Sequence, residues 1–216
     1  MKIKTFELNP LGVNTYILSD ETNECVVIDA GCFYPHEREL LVHYVIDQDL
    51  VIKHLICTHL HFDHILGVNL FTARFGNLLE CHRGDTFFLN GIPAQLSAFG
   101  MPPTTDDYSV QIGRYIEEGN HISFGKQTLK VLHVPGHSPG SIALYHEESG
   151  SLFSGDALFY ASIGRTDLPL GNYETLKESI RTKFFPLPPE TVVYPGHGVT
   201  TTIGYEKKYN PFVSLE

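Results

Sequence analysis

One stretch of seven residues, Thr58-His59-Leu60-His61-Phe62-Asp63-His64, constrains this chain more than any other. It follows an apolar, β-rich run at 51–57 that reads as a buried strand. In extended backbone, alternate residues point the same way, so His59 and His61 can converge on one point. Asp63 and His64 fall where a helix would begin, aimed at a neighbouring point. Three imidazoles and a carboxylate in so short a span supply nitrogen and oxygen donors suited to zinc, iron or manganese. A His-rich polar turn is the competing explanation, but packing alone gives no reason for this density.

Three further candidates each follow a strand pattern and each carry a glycine: Pro135-Gly136-His137, Ser154-Gly155-Asp156 and Pro195-Gly196-His197-Gly198. Glycine lets the chain turn sharply and leave the donor side chain at the strand end. Alone, each is weak. With the first motif they make seven donors, His59, His61, Asp63, His64, His137, Asp156 and His197. Seven suits two metals sharing one carboxylate.

The surrounding pattern is strand–helix–strand–helix. Strands are expected at 2–8, 13–18, 25–28 and 51–57, with a helix from Pro35 whose face carries Leu40, Leu41, Tyr44 and Val45. Apolar residues at helical spacing run over 65–75 and stop at Gly76. Residues 91–107, with Pro93, Pro102 and Pro103, read as a loop with one short helix. Strands resume at 110–116, 121–124, 127–134, 141–145, 151–154 and 191–194, and helices at 173–185 and 202–208. This order predicts an α/β fold with two mixed sheets sandwiched between helices, in a single domain over 1–216.

Composition narrows the chemistry. With 15 Lys+Arg against 25 Asp+Glu, a net charge of −10 argues against nucleic acid or an acidic membrane as partner. The four cysteines, Cys25, Cys32, Cys57 and Cys81, form no CxxC pair, which disfavours a disulfide scaffold or a thiolate zinc site. The sequence shows neither a signal-peptide pattern nor an apolar run long enough to span a bilayer. A cytoplasmic protein acting on a small molecule is the expectation, with a homodimer as the default assembly.

These motifs resemble the metallo-β-lactamase superfamily: residues 27–31, Thr58 to His64, Pro135 to Ser141, Phe153 to Asp156 and Pro195 to Gly198, in that order. The resemblance implies a four-layer αββα sandwich with a metal site at its strand ends. It implies one metal on His59, His61 and His137, a second on Asp63, His64 and His197, and Asp156 bridging them. Asp29 would orient a ligand histidine through a hydrogen bond, with Thr58 beside it. True β-lactamases usually carry Cys or Ser where Asp156 stands, flavodiiron proteins carry Glu where His61 stands, and RNA-processing members are more basic.

What remains is similar to the short bacterial members of the glyoxalase II group, hydroxyacylglutathione hydrolase-like enzymes that cleave thioesters such as S-lactoylglutathione. The segments 162–167 and 202–212 carry that likeness. Longer members add a C-terminal helical domain with basic residues for glutathione, which is not expected in this chain. The resemblance implies two divalent metals, zinc foremost and iron or manganese otherwise, holding a hydroxide that attacks the thioester carbonyl. Asp63 would anchor a metal and orient that water. Arg165 would pair either with a carboxylate of an anionic substrate or with Asp167.

Two rival activities accompany this reading. A persulfide dioxygenase would need a single non-haem iron on His59, His137 and Asp156. A lactone or other ester hydrolase would use the same seven donors. Among the remaining histidines, His36, His43 and His146 are expected at the surface, and His82 and His133 at strand ends as structural residues. Tyr108, Phe159 and Tyr160 are read as packing residues rather than pocket lining, and Cys57 as a buried free thiol.

Overall fold

The structure is a computed structural model that describes residues 1–101 and 108–214. Six strands form the first sheet: β1 (Lys2–Leu8), β2 (Val13–Ser19), β3 (Glu24–Ile28), β4 (Val51–Ile56), β5 (Leu79–Cys81) and β6 (Ile112–Tyr115), paired in that order. From the second half come β7 (His121–Phe124), β8 (Gln127–His133), β9 (Ile142–His146), β10 (Ser151–Gly155), β11 (Leu158–Phe159), β12 (Ser162–Ile163), β13 (Val192–Pro195) and β14 (Thr201–Thr202). The second sheet runs β14-β13-β10-β9-β8-β7, and β11 and β12 make a small separate hairpin. Helices α1 (Pro35–Asp47), α2 (Phe62–Ile65), α3 (Val68–Phe75) and α4 (Ile92–Ala98) belong to the first half, and α5 (Tyr173–Ser179) and α6 (Ile203–Tyr209) to the second.

Strand alternation builds three apolar layers between four structural ones. In β3, Cys25 and Val27 pack outward with Leu41, Val45 and Phe71 of α1 and α3. Val26 and Ile28 point inward against Leu129, Val131, Leu144 and Phe153 of the second sheet. On the far side of that sheet, Ala143, Leu152 and Val193 pack with Leu176 of α5 and Ile203 of α6. A strand buried on both faces must be apolar at every position, which is why the Cys25–Ile28 run shows no polar alternation. The result is the αββα sandwich that the motifs imply.

Several local expectations change. The run over 65–75 is broken into α2 and α3, because Gly67 N–H donates to the Ala30 carbonyl at 2.6 Å and interrupts the helical ladder. Leu40 is 49% exposed, and Glu37 takes the buried position on that face. Its carboxylate accepts from the backbone N–H groups of Asn9, Phe33 and Tyr34 at 2.8–2.9 Å, which compensates its burial. The first half of β4 is not buried: Val51 is 56% exposed, and Lys53 reaches Glu24 at the surface. His146, expected at the surface, is buried and bonds Ser149 through Nδ1. The short helix expected within 91–107 is α4, whereas Pro102 and Pro103 lie outside the described residues. Among the described residues, no helix is long and apolar enough to cross a membrane.

Candidate metal centre

All seven sequence-nominated donors stand where strands end. His59 to His64 follow β4, His137 follows β8, Asp156 follows β10, and His197 follows β13. β3 and β4 run parallel, as do β10 and β13, so their C-terminal ends open toward the loops that carry these side chains. Close approach decides the glycine at 196: a Cβ there would lie 2.1 Å from Asp156 Oδ1 and 2.9 Å from His64 Cε1. Gly136 sits at φ 134° with its α-carbon facing the backbone of Leu176, a conformation and a proximity that exclude side chains.

The donors converge in two sets. His137 Nε2 lies 3.2 Å from His59 Nε2 and 2.9 Å from His61 Nδ1. His64 Nε2 lies 3.3 Å from His197 Nε2 and 3.7 Å from Asp63 Oδ2, and His197 Nε2 lies 3.4 Å from the same oxygen. Asp156 stands between the sets, its Oδ2 3.7 Å from His137 Nε2 and 3.5 Å from His197 Nε2. Within each triad the donor atoms lie within 4.8 Å of one another.

Supporting contacts fix which ring nitrogen faces inward. His137 Nδ1 donates to the Arg165 carbonyl at 2.8 Å, and His197 Nδ1 to the Leu11 carbonyl at 3.0 Å. His59 Nδ1 meets Thr58 Oγ1 at 3.2 Å, and that hydroxyl donates to Asp29 Oδ2 at 2.7 Å. His64 Nδ1 lies 3.0 Å from the same carboxylate oxygen, bent away from hydrogen-bond geometry, so the contact is electrostatic. With a cation bound and the remaining proton held on the outer nitrogen, each of these four rings would present its Nε2 lone pair to the centre. At His59, His61 and His137, where burial keeps His59 and His61 neutral, lone pairs facing each other this closely repel unless a cation lies between them. His61 Nε2 and Asp156 Oδ1 are also buried without a hydrogen-bond partner among the described residues. The donor set therefore fits two divalent cations.

Asp29 is the hinge of this support. Its backbone sits in the left-handed region at φ 53°, a conformation that Asp tolerates better than most residues. There its carboxylate also accepts the Thr58 N–H at 2.7 Å.

Electrostatics follow from burial and pairing. Burial, reinforced by the neighbouring His64, keeps His59 well below the usual histidine range; burial and His137 push His61 down to about 3. These two imidazoles are neutral, as metal donors must be. Burial opposes a charge on His64, but Asp63, Asp156 and Asp29 outweigh it and raise its pKa well above the ordinary value. Burial likewise opposes ionisation of Asp156, and His64 outweighs it, holding that carboxyl well below the carboxylate range.

Asp85 stands outside every sequence motif. It lies in a 3-10 turn (Arg83–Leu89), fully buried, and accepts from Leu60 N–H at 3.2 Å, Ser138 Oγ at 2.6 Å and Gly140 N–H at 2.5 Å. It thus ties the loop of His59 and His61 to the loop of His137. No pattern around Asp85 marks it in the sequence, since its partners lie far away along the chain.

Other nominated residues resolve individually. Arg165 makes two bonds to Asp167, at 2.8 and 2.7 Å, the structural pairing of the two alternatives. Asn210, within the family-like C-terminal segment, donates to the Ser162 carbonyl and to Glu206, so it braces the β11–β12 hairpin. His82 and His133 stack on each other at 4.3 Å, and His133 Nε2 bonds the Pro139 carbonyl at 2.9 Å. Cys57 is a buried free thiol whose Sγ–H points to the His64 carbonyl.

Comparison with known proteins places the family and the fold. The family model for the metallo-β-lactamase superfamily matches residues 8–197. The hydroxyacylglutathione hydrolase GloC of Haemophilus influenzae is 35% identical over 99% of this chain and 99% of its own. The crystal structure of the BLEG-1 B3 metallo-β-lactamase is 36% identical, with a TM-score of 0.87 over 98% of this chain and 99% of that one. The crystal structure of TTHA1623 in a di-iron-bound form is 35% identical, with a TM-score of 0.81 over 97% of this chain and 99% of that one. Family match and sandwich architecture agree, and the chain belongs to the metallo-β-lactamase superfamily of metal-dependent hydrolases.

Proposed function

We propose that this protein is a dinuclear metal-dependent thioester hydrolase of the glyoxalase II type. The observation that carries this reading is the placement of Asp156 Oδ2 between two complete triads, at 3.5–3.7 Å from a histidine of each. His59, His61 and His137 would hold one divalent cation, Asp63, His64 and His197 the other, and Asp156 would be shared. Zinc is the proposed cation; a relative of similar fold has been crystallised in a di-iron form, and the same nitrogen and oxygen donors accept iron or manganese. When bound, such a pair supplies a water acidified toward neutral pH and an electrophile for the carbonyl oxygen.

The protein's own groups perform the remaining tasks. Asp63, ionised in this site, orients the attacking water. Asp29 and Thr58 lock the rings of His64 and His59, so the donors need no rearrangement when substrate arrives. Water's oxygen forms the new bond to the acyl carbon, the carbon–sulfur bond breaks, and the products are a carboxylic acid and a thiol. A thiolate, with a parent pKa near 8.5, leaves without a general acid, so no serine or cysteine nucleophile is called for.

The similarity to GloC over nearly the whole chain supports the thioester class. A mononuclear persulfide dioxygenase, needing only His59, His137 and Asp156, would leave Asp63, His64 and His197 converged without a task. The deciding experiment is metal analysis of native protein, with thioester cleavage and oxygen uptake measured on the same sample. Two metals per chain with chelator-sensitive thioester cleavage are expected. One iron per chain with oxygen consumed on glutathione persulfide would overturn the proposal.

A further inference from the structure

The donor cluster forms the floor of a cavity of about 600 Å3, and the rest of that cavity is markedly apolar. Phe62, Phe87, Phe88 and Phe99 line it, with Leu11 and Leu168 opposite. The aromatic wall begins at the metal donors, where the Phe88 ring meets the His61 ring edge-on at 4.7 Å. It continues through Phe87, 4.0 Å from Phe88, and includes Phe99 set against Phe62 at 5.1 Å. Phe87 and Phe99 remain 38% and 45% exposed, so they are not needed to close the hydrophobic core.

Away from the donors, the polar side chains among the described lining residues are Asn90, Gln95 and Arg165. Gln95 spends its side-chain N–H on the Phe88 carbonyl at 3.0 Å. Arg165 is the one Lys or Arg among the described lining residues, and its Nε and Nη2 already bond Asp167. A lactoyl group, three carbons bearing a hydroxyl, would touch little of these four rings. Exposed aromatic surface contiguous with a reactive centre has an evident use in burying an apolar ligand.

We infer that the cavity selects thioesters with an aliphatic or aryl acyl chain, laid along Phe88, Phe87 and Phe99 with its carbonyl at the His/Asp cluster. Biological thiol carriers are polar, so the carrier belongs in the open mouth and the acyl chain is the apolar partner. This inference rests on the thioester reading above and concerns which thioester is used.

The test is a chain-length series from acetyl to octanoyl on one small neutral thiol, N-acetylcysteamine, assayed with metal-replete protein beside S-lactoylglutathione. Binding of the matching alkyl methyl ketones, which cannot be hydrolysed, is followed by calorimetry on metal-loaded and metal-free protein. Each methylene buried against the rings is expected to raise kcat/KM and ketone affinity about two- to fourfold. Phe87→Ala and Phe99→Ala should flatten that slope, with circular dichroism and metal content matched to the wild type. A flat or falling slope, with S-lactoylglutathione preferred, overturns the acyl inference and leaves thioester hydrolysis standing. Ketone affinity that rises with length while no thioester is cleaved supports the apolar cavity and refutes the thioester reading.

Discussion

Replacing Asp85 by Ala tests whether one buried carboxylate holds the two loops of the proposed metal site together. In the folded protein it accepts from Leu60 N–H, Ser138 Oγ and Gly140 N–H. Ser138 Oγ retains Ser141 Oγ at 2.7 Å, so its hydroxyl is not orphaned by the substitution. The two backbone N–H groups lose this acceptor, at about 1–3 kcal/mol each. An offset exists: burial pushes the Asp85 carboxyl up despite the Ser138 bond, so the native state already bears part of the cost of desolvating it. The net loss is about 2–4 kcal/mol, or a fall in Tm of about 5–15 °C for a chain of this size. Thermal unfolding is to be measured on chelator-treated protein, so that metal binding does not mask the effect. In parallel, metal titration should show weakened binding at the His59, His61 and His137 site, because both loops lose their common anchor. Asp85→Asn, which keeps one acceptor oxygen, should fall between. A Tm within about 2 °C of wild type, with unchanged metal stoichiometry, would refute the reasoning.

Three further outcomes follow from the same contacts. Gly196→Ala places a Cβ 2.1 Å from Asp156 Oδ1, so metal content and hydrolysis should both collapse while far-ultraviolet circular dichroism stays native; retained activity would show that the loop yields easily. Without metal, His64 and His197 have raised pKa values: burial opposes their charge, and Asp63 and Asp156 outweigh it. The stability they contribute is fully present below their unfolded value of about 6.5 and fades as pH rises through the raised values. Metal binding needs those rings unprotonated, so the Tm gap between metal-replete and chelated protein should widen from about pH 5.5 to about pH 8; a gap that narrows contradicts this. Asn210→Ala removes the bond to the Ser162 carbonyl and one partner of buried Glu206, and should destabilise by about 1–3 kcal/mol; an unchanged denaturant midpoint would show that the C-terminal brace is dispensable.

The sequence by itself determined the layer order and nominated the candidate donor set. Strand and helix periods are local, so Cys25–Ile28, the Pro35 helix and the glycine-marked strand ends are legible without a partner. The converging pattern of His59 and His61 is equally local, because backbone alternation sets it. Only the tertiary structure decided how distant donors pair, as in His64 with His197, 133 residues away. It also decided which ring nitrogens face inward, since Arg165, Leu11, Thr58 and Asp29 hold the outer ones. Asp85 and Glu37 escaped sequence reading for one reason: a buried carboxylate is tolerated by virtue of backbone N–H groups that other segments bring to it. The aromatic wall is of the same kind. Nothing along the chain marks Phe62, Phe87, Phe88 and Phe99 as a group, and only the packing of α2, the 3-10 turn and α4 beside the strand ends brings them to one cavity with the donors.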